Sequence, residues 1–156
     1  MLCRLSRWTA RNGCQVGEES GFSLIEVLVV VLIIGILATI AIPSFLNQKS
    51  KASDAAAKEL AHTAQVAIET CATDNNGSYV NCGTPTILAG YEATIQTSAG
   101  QGNAWLSGVT GTASGYTVTT TSTTGDTYSI IRAANGSLTR SCSDATGQTA
   151  CVGATW

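Results

Sequence analysis

The sequence predicts an α+β protein: a long N-terminal α-helix whose first half is membrane-spanning, packed through its second half on a small antiparallel β-sheet. Three observations carry this. Val27–Ile42 is a long apolar run without a charge, too long for an ordinary strand. The Ala-rich stretch beyond Pro43 places apolar residues at helical spacing. The C-terminal half is a series of short Tyr-, Thr- and Ile-containing runs separated by turn sequences. Three segments follow: 1–21, a leader kept outside the fold; 22–43, the apolar half of the helix; and 44–156, a globular domain.

The leader carries Arg4, Arg7 and Arg11 against Glu18 and Glu19, and reads as a targeting segment. From Phe22 to Ile42 the only charge is Glu26. A helix of this length is about 30 Å long, enough to cross the hydrocarbon core of a bilayer. A carboxylate at the centre of such a segment costs about 2.5–3.5 kcal/mol, and less near its end. A free α-amine created by cutting before Phe22 is a suitable partner when it belongs to another subunit. A structural reading of Glu26 also stands, as a snorkelling residue near a helix end.

Lipid offers the backbone no partners, so the run is helical despite its β-branched residues. The Pro43 nitrogen cannot donate to the Thr39 carbonyl, and a bend or local break is expected there. Gly35 and Pro43 are otherwise ordinary irregularities of a membrane helix. Beyond them Phe45, Ala52, Ala56, Leu60, Ala64, Ala67 and Ile68 recur at helical spacing among Lys49, Lys51, Asp54, Lys58, Glu59 and Glu69. The helix is expected to run to about Thr73, where Asp74-Asn75-Asn76-Gly77 stops it.

A loop over 75–90 is expected next, then strands at Tyr91–Thr97, Tyr116–Thr121, Tyr128–Ala133 and Ser137–Ser141. Thr124-Gly125-Asp126 and Ala134-Asn135-Gly136 supply turns. Ser98–Ser114 is rich in Gly, Ser and Thr and reads as a long loop. With few large apolar residues, the sheet finds its core against the Ala stripe of the helix.

Charged residues make up 12% of the 156, the net charge is -2, and no basic cluster indicates nucleic acid. The six cysteines divide. Cys3 and Cys14 belong to the leader. Cys71, Cys82, Cys142 and Cys151 lie beyond the apolar run, where disulfides persist. Four cysteines permit three pairings; the local one, Cys71–Cys82 with Cys142–Cys151, closes two short loops and is favoured. His62 is the only histidine and reads as a surface residue, so a triad has little to draw on. No Cys-x-x-Cys or His cluster suggests a metal, and no cofactor is expected. Asn76-Gly77-Ser78 and Asn135-Gly136-Ser137 match the glycosylation pattern but read as turns. The Thr-rich stretch 117–124 reads as solvated strand and turn rather than a site for O-linked sugar. Trp156 is expected to cap the sheet.

Over Gly21–Phe45 the chain resembles a type IV prepilin. In that resemblance Gly21 is the residue before the prepilin-peptidase cut and Phe22 becomes the N-methylated mature N-terminus. Glu26 is the acidic fifth residue of the mature chain, which serves assembly. Gly35 and Pro43 match the helix-weakening positions. The resemblance implies a membrane-stored precursor with a cytoplasmic N-terminus. It is extracted by an assembly ATPase and an inner-membrane platform protein, and joins a homo-oligomeric helical filament, an extracellular pilus. The implied role is structural rather than enzymatic. A second reading is a pseudopilin of a type II secretion or DNA-uptake system, forming a short filament in the cell envelope. A third is a signal-anchored secreted domain, cut near Ala38-Thr39-Ile40-Ala41.

Overall fold

The computed structural model describes residues 21–145, 151 and 153–156; the expectations for the leader, including Cys3 and Cys14, fall outside these. The chain divides between Thr39 and Ile40 into two units. Helix α1, Leu24–Asp74, contributes to both. In the first unit its side chains from Leu24 to Thr39 are exposed, apart from a half-buried Ala38. The helix is long and apolar enough, by length and composition, to cross a membrane.

In the second unit Ala57, Ala61, Ala64, Ala67, Ile68, Cys71 and Ala72 form the buried stripe of α1. Alanine is the best helix former and lets a sheet approach closely. Of the apolar positions expected there, Ala56 and Leu60 are half-buried, and Phe45 and Ala52 are exposed. The core is centred about one residue further on. Of the bend or local break expected at Pro43, no break occurs: the helix continues through it, since a proline removes one hydrogen bond while its neighbours remain. Helix α1 ends with Asn76 left-handed at φ 55° and the Gly77 amide donating to the Ala72 carbonyl at 2.8 Å, the Schellman arrangement.

The segment that follows differs from expectation. Residues 75–91 hold a 3-10 turn, Val80–Cys82, and helix α2, Pro85–Tyr91. Pro85 opens α2 because its fixed φ suits a first helical turn and its missing N–H is not needed there. No strand forms over Tyr91–Thr97. The Glu92 amide closes α2 on the Leu88 carbonyl, and only Ile95 of this stretch is buried.

The first strand instead lies inside the expected loop. β1 (Ala104–Gly111), β2 (Tyr116–Ser122), β3 (Thr127–Arg132) and β4 (Leu138–Ser143) form an antiparallel sheet in sequential order. The β1–β2 register shifts between Leu106 and Gly108. Such a bulge breaks the period-2 pattern that marks a strand in sequence. Gly111 permits the tightest approach: a Cβ there would lie 1.9 Å from the Tyr79 carbonyl oxygen. The turns after β2 and β3 place Gly125 and Gly136 at φ 94° and 85°, values that favour glycine. Leu106, Val109, Tyr116, Val118 and Ile130 pack on the helix stripe.

The Thr-rich stretch is not simply solvated. Thr120 and Ser122 are buried, and the Thr120 hydroxyl lies 2.8 Å from the Ala57 carbonyl. Alternation puts every second residue of β2 against the helix whatever its polarity, and a helical carbonyl accepts the hydroxyl.

Candidate functional site

The candidate site begins at Gly21, Phe22 and Ser23, which precede α1 in non-helical conformation. The Ser23 carbonyl accepts the first helical bonds, from the Glu26 amide at 3.0 Å and the Val27 amide at 3.3 Å. Phe22 is 76% exposed. Among the described residues nothing lies within 4 Å of a Cβ built on Gly21, so none of them demands glycine there. Glu26 stands in the first turn of α1, where the unsatisfied amides of the helix start favour a negative charge. Glu26 forms no ion pair among the described residues. Among the described residues its nearby compensation is the helix terminus itself.

Further along, a Cβ on Gly35 also meets open space. The Thr39 hydroxyl donates to the Ile36 carbonyl at 2.7 Å, a local bond that competes with the helical pattern. Among the described residues the segment offers an exposed peptide bond before Phe22, a carboxylate without an ion pair, and an apolar surface left uncovered.

The cysteines are paired Cys71–Cys82 and Cys142–Cys151, with Cα–Cα distances of 6.0 and 5.7 Å. The first bridge ties the end of α1 to the 3-10 turn. The second ties β4 to the C-terminal residues. Trp156 donates its indole N–H to the Ser141 carbonyl at 2.9 Å and stacks edge-on against Tyr128 and His62. His62 is thus half-buried beside an aromatic ring, not simply a surface residue.

Two polar networks were not anticipated from the sequence. In one, Glu69 accepts from Tyr79 Oη at 2.7 Å, Tyr116 Oη at 3.0 Å and Arg132 at 3.0 Å. Burial first, then the Glu69 hydrogen bond and charge, push both phenols up. In the other, Asp54 and Asp126 are both buried around Thr124. The Ser53 hydroxyl beside them lies 2.6 Å from the Asn103 carbonyl and 2.6 Å from Thr123 Oγ1. Burial, aided by the Asp54 charge, raises the Asp126 carboxyl, while the Ala145 amide opposes the rise. A Ser-Asp pair on a helix and a distant Thr-Thr-Gly-Asp turn carry no local signal that they meet. Among the described residues no group of three or more His, Cys, Asp or Glu side chains is arranged to hold a metal.

A family profile described as the prokaryotic N-terminal methylation motif matches residues 18–42. The chain is 46% identical over 55 residues to the type IV major pilin protein PilA of Myxococcus xanthus (strain DK1622), covering 35% of this chain and 22% of that one. It is 45% identical over 58 residues to a type IV major fimbrial protein FimA of Dichelobacter nodosus, covering 36% of each. To the type II secretion system core protein G of Aeromonas hydrophila it is 37% identical over 62 residues, covering 40% of this chain and 43% of that one. The matched region therefore spans less than half the length of each of these relatives. No solved structure matches significantly.

Proposed function

We propose that this chain is the precursor of a structural subunit of a type IV pilus filament. It is cut between Gly21 and Phe22 by a prepilin peptidase, methylated on the Phe22 amine, and polymerised through its apolar helix. The observation that carries this is the junction itself: an exposed Gly21-Phe22 bond just before a helix that holds an unpaired Glu26 and exposes its apolar side chains. The methylation-motif match over the same residues supports it.

Before assembly the helix lies in the membrane, with the N-terminus cytoplasmic. On assembly it leaves lipid for the helices of its neighbours, so its apolar surface stays out of water. Glu26 then gains the α-amine of a neighbouring Phe22, which stays protonatable after methylation. An assembly ATPase and a membrane platform protein supply the work, and the sheet forms the outer wall. The role is structural, not enzymatic.

A second reading, a pseudopilin of a secretion system, is favoured by the likeness to the type II secretion core protein. The length of filaments on cells separates the two.

Mass spectrometry of the mature chain tests the common part of both readings. A start at Phe22 with one added methyl is expected, and a start after Ala38 or Ala41 overturns it. Glu26→Ala is expected to be cut normally and to lower filament yield on the order of tenfold or more, as removal of a partner from a buried charge pair does.

A further inference from the structure

In the second unit α1 turns one side away from the sheet. Two charges of α1 in this unit, Lys51 and Glu59, are exposed and make no ion pair among the described residues. Beside Glu59 lies an open cleft of about 450 Å³ between α1 and the segment that leads into β1. Its polar lining is rich in acceptors, with the Gln96 and Asn103 amides each adding an NH2 donor group as well as an oxygen. The Glu59 carboxylate is one. Thr63 commits its hydroxyl proton to the Glu59 carbonyl, and Thr94 commits its own to Glu92, so both present lone pairs. Gln96 Oε1 has no partner. No Lys, Arg or His lines the cleft, and Leu60 and Ala56 complete its wall.

An acceptor-rich apolar-walled cleft beside a carboxylate suits a group with several donors, no acceptor and a flexible aliphatic stem. That describes a lysine side chain. Lys51 of the same copy lies eight residues from Glu59 on one helix, about 12 Å along its axis and about 80° around it, so it does not reach.

We propose that the cleft receives Lys51 of a second copy of this chain, as an axial lock between neighbours in the assembled polymer. The inference rests on the filament reading above. Two parallel copies bring Lys51 of one to Glu59 of the other when the first is displaced about 12 Å toward the C-terminal end of the helix. Because the cleft and Lys51 occupy different sides of α1, the contact is head-to-tail. It repeats from copy to copy without closing, as a filament requires.

The test uses the full chain in cells where the wild type assembles, with sheared filament yield per processed subunit as the readout. Lys51→Glu and Glu59→Lys are each expected to lower the yield roughly fivefold, the scale of losing an exposed ion pair. The double swap, Lys51→Glu with Glu59→Lys, is expected to restore most of it. Within one copy the two residues are too far apart to compensate each other, so rescue reports contact between copies. Filaments of mixed Lys51→Cys and Glu59→Cys copies should also yield an oxidised dimer. Single variants at wild-type yield, a double no better than the singles, or no cross-linked dimer would overturn the lock while leaving the filament reading intact. Absence of filaments from the wild type would overturn both.

Discussion

Asp54 on α1 and Asp126 in the β2–β3 turn share one hydroxyl. Thr124 Oγ1 lies 2.9 Å from Asp54 Oδ1 and 3.2 Å from Asp126 Oδ2. A hydroxyl has one proton, so it serves one of two buried carboxylates at a time. Asp54 Oδ2 and the buried Tyr128 hydroxyl beside this pair make no hydrogen bond of good geometry, and burial, then the charge of Asp54, pushes the Tyr128 phenol up. Asp144 adds a further negative charge, and Lys58 lies over the Tyr128 ring at 5.2 Å.

This arrangement sets the sign of a pH dependence. With the Asp126 carboxyl raised in the folded state, folding takes up a proton. That stabilisation is full below the ordinary carboxylate range and is lost as pH rises through the folded value. Denaturant midpoints should therefore fall as the pH is raised from about 4. Asp126→Asn keeps an acceptor for the Ala145 amide and gives Thr124 a donor. It should be more stable than wild type at neutral pH and show a flatter profile. An unchanged slope in Asp126→Asn would assign the effect to other groups.

Gly111→Ala should be among the most damaging single substitutions. Its Cβ would meet the Tyr79 carbonyl oxygen at 1.9 Å and the Tyr79 carbonyl carbon at 2.7 Å. Both are backbone atoms held by the Tyr79 N–H bond to the Thr112 carbonyl, so neither yields as a side chain tip would. A loss of about 2–3 kcal/mol is expected, read as a shift in the thermal or urea midpoint. Gly136→Ala, open to solvent but at φ 85°, should cost less, about 1 kcal/mol.

The Cys71–Cys82 bridge closes a separation of 11 residues and Cys142–Cys151 one of 9. Each should contribute roughly 2–3 kcal/mol on the loop-entropy account. Paired Cys→Ser variants measured by denaturation should give the two costs separately. The Cys142/Cys151 pair should also expose Trp156, seen as a red-shifted tryptophan emission, because that bridge holds the residues around it.

Between Gly35 and Pro43 the assembled filament should depart from regular helix. Gly35 weakens the helix by about 1 kcal/mol relative to Ala, and Pro43 removes one hydrogen bond. In lipid this weakness stays hidden because unpaired backbone groups are costly there; among packed neighbours the freed groups are shielded. Continuous helical density over this stretch in a filament map would refute the prediction.

The sequence by itself determined the long helix, its apolar and Ala-rich halves, and the turns at Gly77, Gly125 and Gly136. These are local properties: composition, period and glycine position suffice. The methylation motif is local too, a contiguous run that a profile reads directly. Tertiary structure decided the rest. β1 is a strand because β2 pairs with it across a bulge, although its own residues read as loop. Tyr91–Thr97 is not a strand, because Pro85 starts a helix and β2, on the edge expected for it, already pairs with β1. The meeting of Asp54 with Asp126, and of Glu69 with Tyr79, Tyr116 and Arg132, depends on packing a helix across a sheet. Residues 47 to 72 positions apart in the chain, like Asp54 and Asp126 or Glu69 and Tyr116, become neighbours only when burial of the alanine stripe excludes water between those two surfaces.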